Sequence, residues 1–177
     1  KQSTEVLSSV FDKKTLNLMN HLVNENKDRE DVWLIQSSNS WVKGTQNTIE
    51  YAKTNNLNFE VFQGLSYEEM LEKFSNSRGF LFLPNGEDTC PRTVIEAKLL
   101  GCELILNNNV QHKDELWFSN DRQVCVDYLS SRAEYFWEQN NSFLPYKLPD
   151  SNEEQHLTHF KIIIPAYNSE QWITKTI

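Results

Sequence analysis

The chain has 177 residues, and its apolar content of 38% can supply the core of one ordinary domain with some sequence to spare. Its 25 acidic and 17 basic side chains give a formal net charge of −8, which argues against a nucleic-acid partner, because phosphate backbones require clustered Lys and Arg. No apolar run approaches the roughly 18 residues that span a bilayer, and the first residues carry no apolar targeting signal. We therefore expect a globular, cytoplasmic protein without a transmembrane segment.

The cysteines predict neither disulfides nor a metal site. Cys90, Cys102 and Cys125 are odd in number, and their spacing relative to the four histidines is not that of a ligand set. We expect free thiols in a reducing compartment and no structural metal.

Helices and strands alternate along the first 140 residues. A helix is predicted at about 12–26, where apolar residues recur at helical spacing and Asp12 is placed to cap the start. Strands are then predicted at 32–35, 59–62, 80–83 and 104–106, with helices at 44–55, 67–74, 92–100 and about 121–139. This alternation predicts an α/β fold: a Rossmann-like parallel sheet with helices on both faces.

The composition changes after Asn140. Pro145, Pro149 and the polar run 150–155 interrupt any regular element and predict a linker. A new apolar strand at 160–165 is followed by a loop and a helix-like start. We therefore predict a domain at 1–140, a linker at 141–159 and the truncated start of a second domain at 160–177. Because the chain begins at Lys1 without a methionine, we expect it to be a piece of a longer protein.

The loop after the third predicted strand is the best candidate for a ligand site, because open parallel sheets bind ligands outside the carboxyl ends of their strands. Thr89 is placed to cap the following helix, and Pro91 suits its first turn. Free amides and the helix dipole would favour a phosphate or another anion there. Arg92 would add a charge-assisted contact.

Two acids flank the helix start. Glu96 lies in the otherwise apolar stretch 94–101 and is predicted to accept two hydrogen bonds from a vicinal diol such as a ribose. Asp88 lies on the loop side, where it is placed to meet hydroxyls of a second sugar. Each acid also has an ordinary explanation: an acid near a helix start complements the dipole, and a Glu in the middle of a helix is usually solvated.

The stretch 79–106 resembles the acid-x7-acid region of GT-B glycosyltransferases, and most closely the family 4 retaining enzymes. It has the strand ending in Pro, the acid, seven residues, the Glu, and then Ala and a glycine-containing turn into another strand. The resemblance implies that Glu96 holds the ribose of the donor nucleotide and that Asp88 contacts the donor sugar, as the catalytic pair. The chain differs from the family at Asp88, where Glu is usual, and at 89–92, where a Gly-Phe-Gly type of turn is usual.

A Lys-Gly pair at the end of the first strand and loop extends the resemblance. Lys43 is implied to bind the donor diphosphate as a point charge, with Gly44 completing the pair. The family often has an Arg five residues before this Lys, and Ser38 stands there, so we expect its hydroxyl, together with Asn39, to substitute.

The resemblance covers about 32–117 and implies the C-terminal, donor-binding half of a GT-B fold. A nucleoside diphosphate sugar would be the donor substrate, with no further cofactor and no metal, and a carbohydrate or glycoconjugate would be the acceptor. The acceptor-binding domain is expected to precede this chain, so that the chain binds nucleotide but transfers little or no sugar alone.

The end of the chain carries a second resemblance. Residues 161–168 resemble the opening strand and loop of family 2, GT-A type glycosyltransferases. Beside the first resemblance, this implies a parent protein with two fused transferase modules that acts in polysaccharide or glycoconjugate synthesis.

Two other functions stay open. A non-catalytic flavodoxin-like module would use the same sheet edge for a regulatory or protein contact, and a GT-B-shaped epimerase would isomerise a nucleotide sugar. Four further residues receive ordinary interpretations: Cys90 as a packing or turn residue, His112 as a surface histidine, and Trp117 and Trp137 as core.

Overall fold

The computed structural model describes residues 9–25 and 28–143. The alternation of helices and strands that the sequence predicts is present there. The elements, in chain order, are α1 (Lys13–Glu25), β1 (Glu30–Gln36), α2 (Thr45–Thr54), β2 (Phe59–Phe62), α3 (Tyr67–Asn76), β3 (Ser77–Phe82), α4 (Arg92–Leu99), β4 (Glu103–Leu106), α5 (Leu116–Ser119) and α6 (Arg122–Phe143). Two single 3-10 turns lie at Trp41–Lys43 and Gln111–Asp114.

The four strands form one parallel sheet in the order β2-β1-β3-β4. After β1 the chain adds β2 on one side, and it then crosses back to add β3 and β4 on the other side. The loops that follow β1 and β3 therefore leave the sheet side by side and diverge toward opposite faces. This is the topological switch point of an open α/β sheet, which is where such folds bind ligands.

Helices cover both faces of the sheet, which confirms the predicted Rossmann-like α/β class. The residue alternation along β1 explains the division: Trp33 and Ile35 pack with Ala52 of α2 on one face, whereas Leu34 belongs to the larger core on the other. That larger core also contains buried residues of α1, α3, α4 and α6. Phe74 lies near its centre and contacts Phe80 edge-on at 5.0 Å between ring centroids.

Three local signals in the sequence form the contacts they predict. The Asp12 carboxylate accepts a hydrogen bond from the Thr15 amide at 2.7 Å and so caps the start of α1. Ser66 and Glu69 form a complete capping box at the start of α3. Gly101 follows α4 in the left-handed region with φ of 79°.

Other expectations are wrong. Thr89 does not cap α4: Pro91 occupies the N-cap position, without a side-chain cap hydrogen bond. Trp137 is 64% exposed rather than part of the core, whereas Trp117 is buried as predicted. Helix α6 continues to Phe143, into the predicted linker.

The predicted second domain at 160–177 lies outside the described residues.

Arg29 forms hydrogen bonds to the C-terminal ends of two helices, at the edge of the sheet opposite the switch point. Its guanidinium donates to the carbonyls of Phe74 and Ser77, at 3.2 and 2.8 Å, at the end of α3. It also donates to the Leu100 carbonyl at the end of α4. Helices leave their last carbonyls without intrahelical partners, and a cation also complements the negative end of the helix dipole. One side chain thus satisfies carbonyl groups from both helices.

Within 9–25 and 28–143, no helix is long and apolar enough to cross a membrane.

Candidate functional site

The loops after β1 and β3 are joined at the carboxyl edge of the sheet. The Asn85 amide donates to the Val42 carbonyl at 2.9 Å. Gly44 has φ of 62°, and a Cβ atom there would lie 2.3 Å from the Leu83 carbonyl oxygen. The buried Thr48 hydroxyl donates to the Gly44 carbonyl at 2.9 Å and accepts from the Leu83 amide at 3.2 Å. These contacts hold the predicted Lys-Gly pair directly against the loop that carries the acids.

Lys43 and Asp88 form an ion pair across this junction. The Lys43 Nζ lies 2.6 Å from Asp88 Oδ2, although the two residues are 45 positions apart in sequence. The Lys43 side chain is 39% exposed and that of Asp88 is 14% exposed. Asp88 is fixed by its backbone, whose amide donates to the Asn109 carbonyl at 2.7 Å. A cation that keeps part of its surface in solvent at a switch point is suited to bind an anionic ligand.

Glu96 is buried in the middle of α4, with 1% of its surface exposed. Its Oε1 accepts hydrogen bonds from the Tyr67 hydroxyl at 3.0 Å and from Arg92 Nε at 2.9 Å. Burial raises the pKa of Glu96, and the bonds from Arg92 and Tyr67 oppose that rise. Burial, followed by the charge of Glu96, raises the pKa of Tyr67 to about 12. The ordinary expectation of a solvated Glu therefore does not hold here.

Arg92 links this carboxylate to the chain segment that precedes α1. Its Nη1 donates to the Val10 carbonyl at 3.3 Å, and its guanidinium lies 4.3 Å from the centre of the Phe11 ring. Half of the Arg92 side chain is nevertheless exposed. Arg92 is thus held by contacts within the chain while one side of it faces solvent.

The structure places the two remaining predicted ligand-binding residues on the same two loops. Ser38 orders the loop after β1: its amide donates to the Thr45 hydroxyl at 3.0 Å, and its Oγ accepts from the Ser40 amide at 3.1 Å. Thr89 directly follows Asp88 and is exposed. The predicted residues thus form two contacting pairs, Lys43 with Asp88 and Arg92 with Glu96, which are connected by residues 89–91.

Cys90 lies in this connecting loop. Its Sγ is 3.2 Å from the Ser9 hydroxyl, and its side chain packs partly against the larger core. All three cysteines are free. Among the described residues, no group of His, Cys, Asp and Glu side chains is arranged to hold a metal ion.

Tyr67 is a site residue that the sequence does not predict, and the prediction of His112 as a surface residue is wrong. Tyr67 reaches Glu96 from 29 positions away, and no local pattern signals that contact. His112 is not a surface residue but is 2% exposed, stacked on Trp117 and edge-on to Phe118. Neither ring nitrogen has a hydrogen-bond partner of ordinary geometry within the described part of the chain. Burial lowers the pKa of His112, opposed by a backbone group of Thr89 and by the charges of Glu115 and Asp88.

We expect His112 to make the fold less stable in acid. Because burial lowers its folded-state pKa below the ordinary 6.5, the unfolded chain takes up the proton first as the pH falls, and stability is lost below about 6.5. His112→Phe should remove this loss, which is at most about 1.4 kcal/mol at pH 5.5. Urea midpoints of both proteins at pH 7.5 and 5.5 measure the difference.

The control for this comparison is Gln63→Ala, which removes an exposed polar side chain that does not titrate. It should leave the acid sensitivity unchanged. Equal acid sensitivity of the wild type and His112→Phe would contradict the assignment.

Comparison with protein-family models, with curated proteins and with solved structures finds no match for this chain. The fold itself defines the class: an α/β domain with a Rossmann-like parallel sheet. Its charged site lies at the switch point of that sheet. The glycosyltransferase resemblance remains a prediction from the sequence.

Proposed function

We propose that this chain is the donor-binding half of a glycosyltransferase, which transfers a sugar from a nucleoside diphosphate sugar to a carbohydrate acceptor in polysaccharide or glycoconjugate synthesis. The observation that carries the proposal is the Lys43–Asp88 pair, which joins two loops at the switch point of the sheet with 2.6 Å between Nζ and Oδ2. A parallel α/β sheet binds its ligands at this position, and the acid-x7-acid and Lys-Gly resemblances point to the same loops.

Lys43 supports the departure of the nucleoside diphosphate. Its ammonium group would bind the diphosphate as the bond between the anomeric carbon and the phosphate oxygen breaks, because that step adds negative charge to the leaving group. The start of α4, with its backbone amides and positive dipole end, would contribute to the same stabilisation. Asp88 would exchange Lys43 for hydroxyls of the donor sugar.

The Arg92–Glu96 pair supports a second exchange. Glu96 is buried, and its Oε1 accepts a hydrogen bond from Arg92 Nε. Arg92 lies on the same face of α4 and is half exposed. When the donor arrives, Arg92 would turn toward the phosphates, and ribose hydroxyls would take its place on the Glu96 carboxylate. Arg92 would thus cover the Glu96 carboxylate until the nucleotide displaces it.

A second candidate function is a non-catalytic binding module, which one observation favours. Both cations at the site already have a carboxylate partner within the chain, Lys43 with Asp88 and Arg92 with Glu96. Such pairs also occur where they only stabilise loops. This candidate differs from the first in requiring no nucleotide.

Calorimetric titration of the whole chain with UDP, GDP, ADP and CDP separates the two candidates. We expect one of these nucleotides to bind with 1:1 stoichiometry, and Lys43→Ala and Glu96→Ala to weaken that binding at least about tenfold, which corresponds to about 1.4 kcal/mol. Lys53→Ala, at an exposed position on α2, is the matched control and should bind as the wild type does. Circular dichroism confirms that each variant is folded.

Binding of no nucleotide would favour the second candidate and refute the first. Full affinity in folded Lys43→Ala would show that the nucleotide binds elsewhere. We also expect little or no sugar transfer by the chain alone, because donor sites of this architecture are completed by closure against a second domain. Rapid single-turnover transfer would contradict that expectation.

A further inference from the structure

Trp41 is the most exposed tryptophan in the described part of the chain. It lies in the loop after β1, two residues before Lys43, and 72% of its surface is exposed. The only other described tryptophan that is largely exposed is Trp137, on α6. An exposed indole contributes no burial to the fold, and Trp is enriched at binding interfaces, where its ring packs on a partner and its N–H stays accessible.

The backbone holds Trp41 firmly at the carboxyl edge of the sheet. Trp41 begins a 3-10 turn, and its carbonyl accepts hydrogen bonds from the Gly44 amide at 3.1 Å and from Asn85 Nδ2 at 2.8 Å. The ring lies beside Gly86, where an added Cβ would come within 3.5 Å of its Cζ3. The indole is therefore carried by a turn that hydrogen bonds hold in place. Its neighbour in the loop after β3 is Gly86, which has no side chain to cover the ring.

Neutral amide groups continue the same edge of the sheet. Asn107, Asn108 and Asn109 line an open cavity of about 390 Å³ at the end of β4. Asn107 and Asn109 each donate from Nδ2 to the Pro84 carbonyl at 2.8 Å, which places this cavity next to the loop after β3. Asn108 is exposed. Because the strand order places β1, β3 and β4 side by side, the indole, the loop after β3 and the asparagines form one row.

A sugar ring fits this combination of groups. A pyranose offers an apolar face of C–H groups that packs on an aromatic ring, and hydroxyls around its rim that donate to and accept from amides. A nucleic acid does not fit, because a chain with net charge −8 does not attract a phosphate backbone. An apolar peptide or helix would require a wider apolar face than Trp41 and its neighbour Val42 provide, whereas amide groups line the rest of this edge.

We propose that Trp41 and the asparagines 107–109 form a subsite for neutral pyranose rings of an oligosaccharide acceptor, beside the Lys43–Asp88 pair. The assignment of these rings to the acceptor rests on the proposed function. The subsite would hold one part of an acceptor that the preceding domain also binds, because the acceptor hydroxyl must approach the carbon that leaves the diphosphate at Lys43. The binding of a neutral sugar at Trp41 does not rest on it.

The test is a titration of the whole chain with neutral tri- and tetrasaccharides of glucose, galactose, mannose and N-acetylglucosamine, followed by calorimetry and saturation-transfer NMR. At least one should bind, and Trp41→Ala should weaken its binding about tenfold or more, in keeping with aromatic stacking of about 1–3 kcal/mol per ring. Asn108→Ala should weaken it severalfold. Trp137→Ala removes another largely exposed indole, from α6, and should have no effect.

Titration of the same proteins with the nucleoside diphosphates separates the sugar subsite from the proposed transferase function. Absence of binding by every oligosaccharide overturns the subsite, and so does full affinity in Trp41→Ala or an equal loss in Trp137→Ala. A loss of nucleotide affinity in Trp41→Ala also overturns it, because the ring would then stack on the nucleobase. If oligosaccharide binding depends on Trp41 while no nucleotide binds, the subsite stands and the proposed transferase function fails.

Discussion

Replacing Gly44 by alanine is expected to lower the free energy of unfolding by about 3–5 kcal/mol, which places it among the severe single substitutions. With φ of 62°, Gly44 lies in the left-handed region, where a Cβ atom costs about 1–2 kcal/mol by itself. The new atom would also lie 2.3 Å from the Leu83 carbonyl oxygen and 3.0 Å from the Asn85 amide nitrogen. Both are backbone atoms, so relief requires the two loops of the candidate site to separate.

Gly64→Ala is the matched control for this experiment. Gly64 has φ of 71°, but an added Cβ would meet no atom within 4 Å. It should cost only about 1 kcal/mol, which is the conformational penalty without the clash. Urea unfolding of both variants measures the difference between them. Equal destabilisation by the two substitutions would show that the loops after β1 and β3 are not packed as described.

Arg29→Ala is expected to destabilise the chain by about 3 kcal/mol. Hydrogen bonds to charged groups contribute about 1.5–3 kcal/mol each, and water replaces part of the donor that three carbonyls lose, because these bonds are only partly buried. These carbonyls belong to Phe74, Ser77 and Leu100, at the ends of α3 and α4. The substitution lies at the edge of the sheet opposite the candidate site. Nucleotide affinity of the folded fraction should therefore stay at the wild-type value.

Arg78→Ala is the control for Arg29→Ala, because it removes the same charge from the same edge of the sheet. Arg78 forms exposed ion pairs with Asp31 and Glu103, and surface pairs of this kind contribute little to stability. Thermal unfolding compares the two. An Arg29→Ala protein as stable as Arg78→Ala would mean that the helix ends do not depend on the guanidinium.

Local signals explain why most of the fold follows from the sequence. Strand β2 has its predicted bounds, Phe59–Phe62, and helix α3 begins at Tyr67 directly after the Ser66 cap. These features depend on residues within one or two turns of each other, such as the capping box of Ser66 and Glu69. The parallel sheet follows in turn from the regular alternation of such elements.

The candidate site was predictable in position but not in its contacts. The sequence predicts that Lys43 and Asp88 lie at one edge of the sheet, but their ion pair depends on how two loops 45 residues apart are joined. The burial of Glu96 depends in the same way on Tyr67, which arrives from another helix. Propensity and spacing carry no information about such contacts, because they arise only when segments distant in sequence pack together.

The wrong predictions for His112 and Trp137 also concern how side chains pack, which local patterns do not define. His112 has the polar neighbours of a surface loop, yet Trp117 and Phe118 cover its ring. Trp137 has the helical spacing of a core residue, yet it lies on an exposed side of α6. In both cases the side of the element that faces the rest of the protein decides burial, and the sequence pattern of that element alone does not define this side.

The central claim is that the switch point of the sheet binds the nucleoside diphosphate of a sugar donor. The most direct measurement is NMR titration of the isotope-labelled chain with UDP, GDP, ADP and CDP. We predict saturable shifts with one of these nucleotides for amides of residues 37–45 and 88–96. No shift with any nucleotide, or shifts confined to the opposite edge around Arg29 and Arg78, would contradict the claim.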